Sequence, residues 1–199
     1  MCGRFYADTR LEQEIRNLIR SLEKESKSSY KEEEKQWDIY PSQKVSVLCG
    51  KSQEIFVKYM IWGFAAPQGG RLLINARSET VLEKSSFRES VLHRRCVIPA
   101  RGFYEWNSLK EKTKFYFANG QTLWMAGFYD LQDGQDRFVI LTTAANDSVA
   151  PVHCRMPLIL KKNQVKEWIC RDKDTEVLLH TCPELLERQS EYEQLSFWQ

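Results

Sequence analysis

A cysteine stands directly behind the first methionine in the opening MCGRF. If Met1 is removed, Cys2 presents a free α-amine and a thiol on adjacent carbons, and that pair condenses with an aldehyde into a five-membered thiazolidine ring. A terminal α-amine has a pKa of about 7.7–8.0, so much of it is neutral and nucleophilic near neutral pH. The thiol, near about 8.5 when unperturbed, is open to activation by a neighbouring cation such as Arg4. If Met1 stays, Cys2 is a small buried side chain in an N-terminal strand.

Three further stretches set polar groups into sequence that otherwise looks buried. In LLINARSET, Asn75 offers a donor and an acceptor, suited to holding a hydroxyl or carbonyl oxygen, or equally to capping a strand end at a turn. Arg77, two residues on, faces the same side of an extended chain and could grip a phosphate. In RGFYEW, Glu105 lies between Tyr104 and Trp106. Burial there would raise its pKa towards the range a general acid–base needs, whereas on a half-exposed strand it is an ordinary surface carboxylate. His153, in APVHCRMP, follows the apolar run FVILTTAA, and with Cys154 and Arg155 it marks a polar site at a strand end or a hydrogen-bonded structural imidazole. His93 and His180 lie in charged helical contexts and carry no such setting.

These residues need elements to hold them. LEQEIRNLIRSLEKE places Leu11, Ile15, Leu18, Ile19 and Leu22 on one face of an amphipathic helix. The mixed charges of EKESKSSYKEEEK follow as a solvated helix end and loop. From residue 38 onward the texture changes to short β-branched and aromatic runs, VSVLC, IFVKYMIWGF, RCVIPA, KFYFANG, QTLWMAGFYD and RFVILTTAA, which predict strands. Asn119-Gly120 predicts a tight hairpin pairing KFYFANG with QTLWMAGF. SSFRESVLHRR, capped by Ser85 or Ser86, and KNQVKEWICR predict helices. The expectation is an α+β single domain over residues 1–199, dominated by an antiparallel, barrel-like β-sheet with peripheral helices.

Charge and composition narrow the partners. With 29 Lys+Arg against 27 Asp+Glu the net charge is +2, so no overall basic field draws in nucleic acid and any such site must be local. No apolar run approaches the roughly 20 residues of a membrane span, and no signal peptide is evident, which predicts a cytoplasmic protein. The six cysteines are scattered without CxxC pairs or zinc-finger spacing, so reduced thiols are expected. No ligand cluster or phosphate-cradling glycine loop implies a metal or an organic cofactor.

MCGRF, IYPSQ, WGF, INARSET, RCVIPARGFYEW and HCRMPLIL, in that order and spanning residue 1 to about residue 170, resemble the SOS response-associated peptidase family, whose members shield abasic sites in single-stranded DNA. The resemblance implies that Met1 is lost by self-processing and that Cys2 captures the ring-opened aldehyde of an abasic deoxyribose as a thiazolidine. It further implies that Asn75 orients the sugar, Glu105 shuttles protons, and His153 assists ring opening. Arg4, Arg77 and Arg155 match positions set against phosphates, and Thr142 and the Pro41 loop match further backbone contacts. Trp106 would stack or pack. Three arginines converging on one groove would give local binding despite the small net charge. The implied partner is single-stranded DNA with abasic sites, bound by a monomer that associates with the nucleoid only through DNA. The chain differs from many relatives in WGFAAPQGGRLL, which lacks a Pro- and Trp-rich wedge, and in LSFWQ, where a closing strand is expected.

Two other readings use the same residues. An N-terminal-nucleophile amidohydrolase would attack an amide with the Cys2 thiol and use its α-amine as base. A non-catalytic single-strand-binding module would use the aromatics and arginines and ignore Cys2.

Overall fold

The computed structural model describes residues 2–23, 35–51, 53–66 and 70–190. Strand β1 (Arg4–Asp8) runs into helix α1 (Thr9–Glu23), followed by β2 (Gln36–Ile39), β3 (Lys44–Lys51), β4 (Glu54–Trp62) and β5 (Asn75–Arg77). Next come α2 (Ser85–His93), β6 (Arg95–Ala100), β7 (Gly102–Trp106), β8 (Lys112–Tyr116), β9 (Leu123–Gln132) and β10 (Gln135–Ala144). The chain continues through β11 (Arg155–Pro157), β12 (Ile159–Leu160), α3 (Gln164–Cys170), a 3-10 turn at Asp172–Asp174, α4 (Thr175–Leu179) and β13 (Glu187–Ser190).

One sheet has five strands in the order β13-β8-β7-β1-β2, all antiparallel. The other closes on itself: β4-β3-β6-β9-β10 pair antiparallel, and a parallel contact of β10 with β4, through Arg137↔Ile61 and Phe138↔Trp62, shuts the ring. Its strands are buried on both faces. Val47, Cys49, Cys96, Ile98, Phe138 and Ile140 join a core shared with Phe5, Phe103 and Phe115 of the five-stranded sheet. Their neighbours Leu48, Val97, Val139 and Leu141 face a second core under α2, α3 and α4, with Phe87, Val91, Trp168 and Leu178. Double burial is why RCVIPA reads as a continuous apolar run rather than an alternating one. Trp168 fastens α3 to the ring by donating to the Cys96 carbonyl at 3.0 Å.

The α+β architecture and barrel-like sheet follow the sequence, with particular differences. The pairing expected across Asn119-Gly120 does not form. Gly120 does take a left-handed φ of 68°, but β8 turns back onto β7 (Phe103↔Phe115) while β9 joins β6 (Ile98↔Met125), so the two segments enter different sheets. Arg101 sits at this crossing. Its buried guanidinium donates to the Gly120 carbonyl at 3.1 Å and Thr122 Oγ1 at 3.0 Å, and pairs with Asp8 at 2.9 Å and Glu14 at 2.8 Å. The long two-residue hairpin is instead β9–β10, turned at Asp133-Gly134 with both residues at positive φ.

Helix α2 has Lys84 rather than Ser85 or Ser86 at its N-cap, with no side-chain cap bond. Helix α1 is capped by Asp8, whose carboxylate accepts from the Leu11 amide at 2.7 Å. Leu11 is buried and Ile15 packs on the core. The side chains of Leu18, Ile19 and Leu22, most of the charged stretch after Glu23, and LSFWQ lie outside what is described. Among the described residues no helix is long and apolar enough to cross a membrane.

Removing the Arg101 fork leaves Asp8 and Glu14 without their cation at the sheet crossing. Arg101→Ala should destabilise the fold by about 2 kcal/mol, below the range for a fully enclosed pair because Glu14 is half-exposed, and Arg101→Lys by less. Urea unfolding midpoints at constant m-value check this.

Candidate active site

The start of the chain runs into the seam between the two sheets. In β1, Arg4 pairs with Tyr104 and Phe5 with Phe103, so the residues just ahead of β1 pass beside Glu105, the next residue of β7. Cys2 is fully buried, in the core that holds Phe5 and Trp62. Across the seam, β5 lies parallel to β10 with Asn75 opposite Ile140. Trp62 Nε1 donates to the Ile74 carbonyl at 3.0 Å, fixing the approach to β5. Asn75 Nδ2 donates to the Cys2 carbonyl at 2.9 Å, while its buried Oδ1 accepts no hydrogen bond among the described residues.

Glu105 is only 2 % exposed. Desolvation raises its carboxyl pKa, against the opposing pull of the chain's α-amino group and of His153. Burial likewise pushes the Cys2 thiol far up, and the Glu105 charge adds to it, while a weak contact from Sγ to the Arg4 carbonyl at 3.7 Å and the charge of the chain's α-amino group act the other way. A thiolate and a carboxylate side by side are therefore disfavoured, and burial favours the protonated thiol.

His153 reaches this site from the loop between β10 and β11. Asn146 builds that loop, its Oδ1 accepting from the Ser148 amide and hydroxyl and its Nδ2 bridging the carbonyls of Pro183 and Glu184. His153 Nδ1 lies 3.0 Å from the Arg155 amide and 3.1 Å from the Arg155 carbonyl, so the backbone of residue 155 sets the orientation of the ring. The four polar residues singled out from sequence, Cys2, Asn75, Glu105 and His153, thus meet from four separate segments.

The remaining candidates flank them. Arg4 lies between the rings of Tyr40 (4.6 Å) and Trp106 (5.1 Å) and pairs with Asp38 at 3.6 Å. Pro41 belongs to the turn beside Tyr40, closed by Gln43 N–H donating to the Tyr40 carbonyl. Arg77 is exposed at the end of β5, opposite Thr142. Thr142 is buried and donates its hydroxyl to the Ala76 carbonyl at 3.3 Å, so its side chain is turned to the fold. Arg155 donates to the Thr142 carbonyl at 2.5 Å and forms a two-pronged pair with Glu79 at 2.7 and 2.8 Å. That hydrogen bonding holds the Glu79 carboxyl below its ordinary pKa. An anion approaching Arg155 must compete with Glu79, a residue visible within INARSET but unassigned from sequence. Asp38 and Tyr40, which set Arg4, were likewise invisible, because only the fold brings them to it.

Glu105 gives a pH dependence of stability with a definite sign. Its folded pKa exceeds its unfolded one, so the folded state holds the extra proton, and stability falls as pH rises from the ordinary carboxylate range through the raised value. Glu105→Gln should therefore be more stable than the parent above that window and equal to it below, as read by urea unfolding across pH.

The model of the SOS response associated peptidase family matches residues 1–198. The chain is 31% identical over 183 residues to the abasic site processing protein YoqW of Bacillus subtilis, covering 85% of this chain and 80% of that one. It is 28% identical over 177 residues to the abasic site processing protein YedK of Escherichia coli, covering 85% and 79%. Its fold is similar to the crystal structure of a phage-related protein of Bordetella bronchiseptica, with a TM-score of 0.73 over 95% of this chain and 93% of that one at 20% identity. With the family model spanning nearly every residue, the site included, the chain belongs to the SOS response associated peptidase family.

Proposed function

We propose that this protein processes abasic sites in single-stranded DNA by capturing the ring-opened aldehyde on Cys2 after Met1 has been removed. The observation that carries this reading is the placement of Cys2, its backbone held by Asn75 and its thiol beside Glu105. The curated relatives are named abasic site processing proteins, which supports the same substrate.

The chemistry balances with the groups present. The Cys2 α-amine adds to the aldehyde carbon, the carbinolamine loses its hydroxyl as water, and the thiol adds to the resulting C=N carbon, its proton ending on nitrogen. One water leaves in total. Burial, which raises the pKa of Glu105, favours the protonated carboxyl that would donate to the departing hydroxyl. The carboxylate so formed is the base for a thiol that burial prevents from ionising alone. Asn75 Oδ1 is available to a sugar hydroxyl, and the His153 ring would assist at the ring oxygen as it opens. Arg4, Arg77 and Arg155, with the Pro41 turn, would face phosphates on either side, while Thr142, its hydroxyl bonded inside the fold, would not. Self-removal of Met1 and reversal of the crosslink fall to the same Cys2–Glu105 pair, in a monomer that needs no metal or organic cofactor.

Incubation with an oligonucleotide bearing one abasic site, followed by intact mass, should give a Cys2 adduct equal to the sum of the partners minus one water, on a chain lacking Met1. Cys2→Ala should give none, and Glu105→Gln should form the adduct about 100-fold more slowly. No adduct from a chain already lacking Met1 would sink the proposal and leave a binding module or an amidohydrolase.

A further inference from the structure

Glu79 stands beside the candidate site and has no part in the capture chemistry. Strand β5 ends at Arg77, opposite Thr142 of β10, and Ser78 continues the pairing by donating its amide to the Thr142 carbonyl at 2.9 Å. The Glu79 side chain thereby reaches the end of β10, where Ala144 and Arg155 form the last rung of the β10–β11 pair. It holds both sides of this rung. Its Oε1 accepts from the Ala144 amide at 3.2 Å, and its two oxygens take the Arg155 guanidinium at 2.7 and 2.8 Å. Arg155 Nη2 also donates to the Thr142 carbonyl, so the ends of β5, β10 and β11 are tied through one carboxylate.

The loop that carries His153 springs from that rung. Next along it, the Ala145 amide donates to the Cys154 carbonyl at 3.0 Å, and the His153 amide donates to the Val149 carbonyl at 3.0 Å. The His153 ring is set by residue 155, whose amide and carbonyl lie 3.0 and 3.1 Å from Nδ1. Contact therefore runs from the Glu79 carboxylate through the Arg155 side chain to the Arg155 backbone, and from that backbone to the ring. The ring in turn acts electrostatically on Glu105. The fork has a second effect. The Arg155 side chain is only 15% exposed, so the paired carboxylate offsets much of the guanidinium charge that a phosphate would meet.

Resting on the abasic-site reading above, we infer that Glu79 is a positioning residue for His153, acting through Arg155, and that the same pairing weakens the hold of Arg155 on a DNA phosphate. A clamp that served the fold alone would support binding and capture alike. This arrangement sets the two against each other.

The test replaces Glu79 with the near-isosteric glutamine (Glu79→Gln), which keeps an acceptor for the Ala144 amide and loses the charge. Fluorescence anisotropy with an undamaged single-stranded oligonucleotide over a salt series reads the hold on DNA. Single-turnover adduct formation on a saturating abasic oligonucleotide reads capture. Freeing one guanidinium for a phosphate should steepen the log–log salt slope by about 0.7 and tighten binding roughly fivefold near about 0.1 M salt. Capture should slow about 10-fold, because a displaced ring loses the advantage of fixed geometry. In a His153→Ala background the slowing should vanish, since no ring is left to position, while the tighter binding should persist. Unchanged binding, an unchanged capture rate, or a slowing that adds in full to that of His153→Ala would each overturn the inference. Loss of affinity and rate together would assign Glu79 to the fold and overturn it as well. A parent protein lacking Met1 that forms no adduct would instead overturn the capture reading, and the role of Glu79 with it.

Discussion

A chain terminus is tied to a fold from one side only, and ordering it costs more conformational entropy than its few contacts usually return. Here the first described residue is buried, and the Asn75 side chain holds its carbonyl from the opposite sheet. That single bond spans the seam between the five-stranded sheet and the ring. It requires β5 to be in register on β10 and β1 on β7, so the position of Cys2 is a readout of how the two sheets are assembled.

The ring meets that requirement because it is closed and buried on both faces. One set of side chains packs against Phe5, Phe103 and Phe115, and the alternate set packs under the helices. Neither sheet can slide without exposing one of the two cores, and a slip of one residue would exchange them. Where the chain passes between sheets, the apolar logic stops, and Arg101 ties the crossing with charged hydrogen bonds to Asp8, Glu14 and Gly120. The same Asp8 caps α1, so helix, crossing and β1 share one carboxylate.

Burial also sets the electrostatics of the seam. Desolvation raises the pKa values of Cys2 and Glu105 together, so burial pushes both groups towards their neutral forms. Nearby cations are supplied with their own partners: Arg155 with Glu79 and Arg4 with Asp38 and two rings. Each of these guanidinium groups thus carries a local counter-charge, which limits repulsion among the cations around the site.

Much of this was legible in the sequence because it depends on local chemistry. The adjacent amine and thiol of a terminal cysteine, the amphipathic start of α1 and the β-branched runs all rest on neighbours in the chain, and Cys2, Asn75, Glu105 and His153 stood out as polar groups in apolar surroundings. The pairing partners were not legible. Asn119-Gly120 turns as its φ preference demands, yet a turn fixes only direction, and which sheets its flanking strands join was decided by Phe103, Phe115 and Arg101 far along the chain. The parallel closure of β10 on β4, the pairing of Arg155 with Glu79 and the stacking of Arg4 against Tyr40 likewise join segments whose separation leaves no periodic trace. The sequence by itself determined which groups could react. Only the tertiary structure decided which of them burial pushes towards neutrality, which already hold a counter-ion, and which face outward, because burial and charge proximity are properties of the packed chain.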